Sequence, residues 1–187
     1  WENLGLSIVS RNIKDVINDS GLNLNLKKIS FSDSPEILIA GCGTGQHAIT
    51  TASKYKKSKI LALDLSFKSL SYAKRKANEL KINNIDFIQG DILDLESIDR
   101  KFDIIESVGV LHHMDNPFKG WKILTSCLHN DSLMLIGLYS EKARQHIIQI
   151  KNKINKLKLQ SNYKNIIKFR KDLIEHNNDQ WNEIQSS

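Results

Sequence analysis

The segment Ile37–Ile49, ILIAGCGTGQHAI, runs four apolar residues into Gly41, Gly43 and Gly45 and then into a stretch with helical spacing. Glycine at every second position between a strand and a helix admits few folds. Backbone without Cβ atoms can turn sharply there and bring N–H groups to a helix N-terminus. Two needs explain such a loop: a tight turn at positive φ, or the close approach of a negatively charged or electron-rich group.

The sequence around the loop alternates. Strands are expected at 37–40, 59–63, 85–88, 102–107 and 132–139, with helices near 46–56, 67–81 and 117–128 and a short helical turn near 92–98. Short apolar strands separated by helices predict a parallel sheet buried on both faces, an α/β, doubly wound fold. Apolar spacing over residues 3–18 predicts a leading helix. After Tyr139 the alternation stops, and Ile147, Ile150, Ile154 and Leu157 form one helical stripe ahead of a second helical pattern, YKNIIKFRKDLI. The expected organisation is therefore a helical lead-in over 1–34, a core over 35–140 and a basic amphipathic helical extension over 141–187. Trp1 at the start and IQSS at the end suggest a truncated piece of a longer protein.

Composition excludes several classes. No apolar run approaches the roughly 20 residues that span a bilayer, and no basic-then-apolar leader opens the chain, so a cytoplasmic protein with no membrane partner is expected. Cys42 and Cys127 are too few for a disulfide framework and read as free thiols. Beside the adjacent pair His112 and His113, the remaining histidines, His47, His129, His146 and His176, offer no matching ligand spacing, so no metal is expected. Of the 27 basic and 21 acidic residues, 10 and 5 fall in 141–187, which leaves 17 and 16 in the rest. A nearly neutral body with one basic helical tail argues against nucleic acid as a partner.

The loop follows the first strand, at the carboxyl edge of the sheet where open α/β folds bind ligands. Asp64 ends the second strand, and a carboxylate there can accept both hydroxyls of a ribose. Capping of the next helix is its rival role, although Ser66 can supply that cap. Asp91 ends the third strand, where its carboxylate can accept from an adenine amino group while the Ile92 N–H donates to the ring. Capping of the following turn is again the rival, and both roles can coexist. These strand ends together describe a pocket for an adenosine. The loop reads G-x-G-x-G with Gln46 in the sixth place, unlike the dinucleotide pattern G-x-G-x-x-G, and no Gly-Lys-Ser/Thr follows it.

These segments resemble the class I S-adenosylmethionine-dependent methyltransferases. ILIAGCGTG looks like the family's glycine motif, LALDLS like its ribose segment, FIQGDI like its adenine segment, and FDIIESVGVLHHMDNP like its fourth strand and following loop. The resemblance covers residues 35–140. GCGTGQH with GVLHHM and LIGLYSE looks closest to bacterial methyltransferase domains joined to tetratricopeptide repeats, which implies an upstream repeat domain in the full-length protein.

The resemblance implies a Rossmann-like, mainly parallel sheet in the order 3-2-1-4-5, with the family's final strands missing here. It implies S-adenosyl-L-methionine as cofactor and methyl transfer to a small molecule or protein group by in-line displacement, an enzyme of the EC 2.1.1 class. Gly41, Cys42, Gly43 and Gly45 would line the cofactor, Asp64 and Leu65 the ribose, Asp91 and Ile92 the adenine, and Ser107 the transferable methyl. One departure stands out: where many members carry an acidic residue two places before the first glycine, this chain has Ile39. Recognition of the cofactor's amino group must then rely on backbone carbonyls or another side chain.

Alignment of nucleophile, methyl and sulfur supplies much of the acceleration, so a catalytic side chain need not exist. His112 and His113 are weak catalytic candidates, because adjacent residues on a helical turn point in different directions. Phe118 and Trp121, at roughly helical spacing, read as core. The loop after strand four lacks the Asn/Asp-Pro-Pro-aromatic pattern of nucleic-acid amine methylation. The alternative function is a non-catalytic cofactor-binding module of a larger protein, with an NAD-dependent oxidoreductase a distant third.

Overall fold

The computed structural model describes residues 34–55 and 57–176; the leading helix expected over 3–18 lies outside them. Five strands, β1 (Glu36–Ala40), β2 (Lys59–Asp64), β3 (Ile85–Gln89), β4 (Phe102–Val108) and β5 (Leu128–Gly137), pair in parallel in the order β3-β2-β1-β4-β5. Helices α1 (Gln46–Lys54), α2 (Phe67–Glu79) and α3 (Pro117–Ser126) make crossovers, and short 3₁₀ helices occupy Ile92–Ser97 and Leu111–His113. The sheet order expected from the sequence is the one observed.

Alternation along β1 explains why the central strands are apolar throughout. Ile37 and Ile39 pack on one face with Ala48 and Ala52 of α1 and Leu70 of α2, while Leu38 and Ala40 pack on the other with Leu95, Ile123 and Leu124. Each such buried Ile or Leu contributes about 1.5–3 kcal/mol, so the middle of the sheet is the best-anchored part of the domain. Side chains set where the helices begin. The Ser66 hydroxyl accepts from the Ser69 N–H at 3.2 Å to open α2, and Asn116 Oδ1 accepts from the Lys119 N–H at 3.0 Å, with Pro117 in the first turn of α3.

The edges depart from the expected pattern. Burial on both faces holds for the inner strands, whereas Ile88 of the edge strand β3 is exposed. β5 starts before the expected residue 132, because its register jumps from Phe102↔Leu128 to Ile104↔Leu133. The extra residues include Asp131 at φ +60°, and the polar run His129–Asp131 hid this irregular start. The aromatic pair on α3 also corrects the sequence reading. Phe118 is 79% exposed and Trp121 38%, because α3 buries Gly120, Ile123 and Leu124 instead.

The chain divides between Leu138 and Tyr139 into two compact units. Within the second lie a 3₁₀ turn at Lys142–Arg144 and helices α4 (Gln145–Lys156) and α5 (Tyr163–His176), and the Arg144 guanidinium sits 3.4 Å from the Tyr139 ring centroid. Among the described residues of this unit there is no strand. No helix among the described residues is long and apolar enough to cross a membrane.

Candidate functional site

The glycine loop is held by backbone bonds to the neighbouring strand. The N–H groups of Gly41 and Cys42 both donate to the Leu63 carbonyl, at 2.8 and 2.9 Å, and Gly45 N–H donates to the Cys42 carbonyl at 2.9 Å. The glycines serve different ends. A Cβ on Gly41 would run into Val110, and one on Gly45 would lie 2.5 Å from the Ala73 Cβ, whereas one on Gly43 would meet nothing within 4 Å. Gly45 therefore lets α1 approach α2, and Gly43 faces open space. All three glycines take positive φ, which the tight turn requires, and the open space at Gly43 leaves room for close approach from outside. No side chain caps α1, so the first-turn N–H groups of that helix keep their capacity for an outside acceptor.

Asp64 braces the loop from β2. One carboxylate oxygen accepts from the Gly43 N–H at 2.7 Å and the other from the Ser66 N–H at 2.9 Å. Ser66, not Asp64, caps α2. A carboxylate offers about four acceptor positions, so the two in use leave two more. The end of β3 is tied to the same corner: Gly90 N–H donates to the Asp64 carbonyl at 3.1 Å, and the Gln89 amide donates to the carbonyl of the exposed Leu65 at 3.0 Å. Asp91 does cap its helical turn, with Oδ1 accepting from the Leu93 N–H at 2.9 Å, and the Ile92 side chain is buried in the core.

A cleft of about 490 Å³ opens over the loop, between Gly41–Thr44, the start of α1 at Gln46, His47 and Thr50, and the flanking Ile39 and Val108. Ser107 does not project into it. Its side chain is fully buried and its hydroxyl donates to the Ala40 carbonyl at 3.0 Å, because it shares the face of β4 that carries Ile105. The next residue, Val108, lines the cleft in its place. His112 and His113 do not diverge as expected of neighbours on a turn: their Nε2 atoms approach to 3.0 Å and their ring centroids to 4.1 Å. Neither lines this cleft. Among the described residues no group of three His, Cys, Asp or Glu side chains could hold a metal ion.

Cys42 forms part of the cleft wall as a buried thiol, pushed up to about 12 by burial and then by the negative charge of Asp64. At pH 8 far less thiolate is present than in free cysteine, so alkylation is expected to run more than about tenfold slower. Mass-spectrometric mapping after timed iodoacetamide treatment checks this, and labelling at the rate of a free thiol would contradict the buried placement.

Sequence reasoning missed Glu106 and His47. Glu106 lies on the α1 face of β4, one side-chain period from Ile104, and its side chain is 12% exposed. Its Oε2 accepts from the Thr51 hydroxyl at 3.0 Å and lies 2.8 Å from His47 Nε2. Burial and the nearby Glu106 charge together push the Tyr55 phenol above its ordinary range. The two-residue period of FDIIES could have placed Glu106 on this face.

A family model described as a methyltransferase domain matches residues 32–185. Curated relatives include an uncharacterized protein of Synechococcus, 34% identical over 64% of this chain and 29% of its own length. They also include (S)-coclaurine N-methyltransferase of Papaver somniferum, 30% identical over 62% of this chain and 32% of its own. The chain thus spans about a third of the length of these relatives. Among solved structures, the YcgJ protein of Bacillus subtilis superposes with a TM-score of 0.56 at 21% identity, over 69% of this chain and 56% of that one. PKMT2 of Rickettsia typhi, solved in complex with AdoHcy, does so with a TM-score of 0.56 at 24% identity, over 65% and 24% respectively. These superpositions show the shared fold.

Proposed function

This chain belongs to the methyltransferase domain family, and from that premise we propose that it binds S-adenosyl-L-methionine at the carboxyl edge of its sheet and transfers the methyl group to a small molecule or a protein group. The observation that carries the reading is the joint between Asp64 and the Gly43 N–H at 2.7 Å, beside an α1 N-terminus that no side chain caps. It supports a carboxylate for ribose hydroxyls and a bare backbone for the methionyl arm within one corner of the fold. The open space at Gly43 fits close approach of that arm.

In this proposal residues 35–140 form the cofactor core and 141–187 its helical extension, in a cytoplasmic enzyme. Gly41, Cys42, Gly43 and Gly45 form the cradle, Asp64 with Leu65 receives the ribose, and Asp91 with the Ile92 N–H receives the adenine. Asp91 keeps its capping bond while doing so, since one carboxylate oxygen suffices for the cap. Val108 takes over the wall beside the reacting methyl. The bound cofactor supplies an electrophilic methyl on a sulfonium. The chain's own residues hold and orient it, and alignment alone supplies a large share of such a rate enhancement.

Isothermal titration of this chain with S-adenosylhomocysteine and with NAD tests the proposal. Saturable binding of the first and none of the second is expected, and the reverse would overturn it. Radiolabelled methyl transfer by the full-length protein to a cell extract then separates an enzyme from a cofactor-holding module.

A further inference from the structure

Glu106 is a mostly buried carboxylate with an imidazole, that of His47, on one of its two oxygens. β1 and β4 pair in parallel with Ile39 opposite Glu106, so the two side chains stand side by side on the α1 face of the sheet. Ile39 and His47 both line the cleft, and Glu106, which is not itself in the lining, adjoins it through its contact with His47. A carboxylate that is 12% exposed has lost most of its water, a loss that is usually offset by a positive partner. Among the described residues the basic side chain at ion-pair distance is the His47 imidazole, no lysine or arginine lies that close, and the bonds to Thr51 and His47 both use Oε2. Oε1 accepts no hydrogen bond from any described residue.

Resting on the cofactor reading above, we infer that Glu106 binds the positively charged amino group of the cofactor's methionyl arm through Oε1. Ile39 itself has no charge to offer an ammonium. The adjacent strand provides one at the same level of the sheet, displaced sideways by one strand. His47 and Thr51 hold Oε2 and so fix the carboxylate's orientation, while the uncapped N-terminus of α1 is left for the arm's own carboxylate. The amino-acid arm would thus be read by charge at both ends.

Two ligands separate this inference from the reading beneath it. S-Adenosylhomocysteine carries the amino-acid arm, and 5′-methylthioadenosine is the same adenosine thioether without it. In calorimetry on this chain, Glu106→Gln is expected to weaken S-adenosylhomocysteine about 10- to 100-fold and to leave methylthioadenosine within twofold. Unchanged affinity for S-adenosylhomocysteine, or an equal loss for both ligands, would overturn the role of Glu106. Failure of the unmodified chain to bind either ligand would overturn the cofactor reading itself. Should Glu106→Gln not fold, the unmodified chain still decides. An S-adenosylhomocysteine analogue lacking only the α-amino group is expected to bind about tenfold or more weakly, and equal binding refutes the inference.

Discussion

Alanine at Gly45 is expected to cost the domain about 3 kcal/mol, from a left-handed backbone at a non-glycine residue, about 1–2 kcal/mol, and from overpacking, about 1–3 kcal/mol. Gly45 has φ +84°, and the new methyl would lie 2.5 Å from the Ala73 Cβ and 3.2 Å from its Cα. The second contact is backbone and cannot rotate away. Relief would require α1 and α2 to separate, which opens the layer formed by Ala48, Ala52 and Leu70. Gly43→Ala is the internal comparison: φ is again positive, at +52°, but nothing lies within 4 Å, so only the backbone cost of about 1 kcal/mol is expected. Urea unfolding at constant slope measures both. Equal losses for the two variants would show that helix approach is not what Gly45 provides.

Asp64→Ala is expected to weaken S-adenosylhomocysteine about 10- to 100-fold, the equivalent of a charged hydrogen-bonding group worth about 1.5–3 kcal/mol. The structure adds a second consequence. The side chain holds the N–H groups of Gly43 and Ser66 at once, so its removal also loosens the loop and lowers the melting temperature by several degrees without unfolding the domain. Calorimetry and thermal melting together separate the two effects. A variant that melts early yet binds with full affinity would make Asp64 a brace only.

How much of this was legible in the sequence depends on the range of the interaction that fixes each feature. The central strands were legible because Ile37–Ala40 and Lys59–Leu63 carry their own signal, and their apolar faces need no partner to be recognised. The glycine loop was legible for the same local reason. The split between Gly45, which packs against Ala73, and Gly43, which faces open space, was not, since Ala73 lies on another helix. Ser107 was misplaced because its position at the end of a strand says which edge it is near, and only the pleat says which face it takes. The same pleat sends Glu106 toward α1. Its alignment with Ile39 then depends on the β1–β4 register, a pairing between residues 67 positions apart that no local pattern specifies. Phe118 and Trp121 were misread because helical spacing identifies a stripe without saying which stripe faces inward.

The shared use of the Leu63 carbonyl by Gly41 and Cys42 decides which positions of the loop can be replaced without altering its course. The first bend of the loop is written in bonds from its own main chain to a carbonyl of the neighbouring strand, with Asp64 bracing Gly43 beyond it, and it requires little from the side chains exposed on its rim. Thr44 is exposed and takes no part in those bonds, so its replacement is expected to leave the cradle's shape intact. Shape and surface chemistry are thus carried by neighbouring residues, so a replacement at the rim changes what the mouth of the site presents while its floor keeps its bonds.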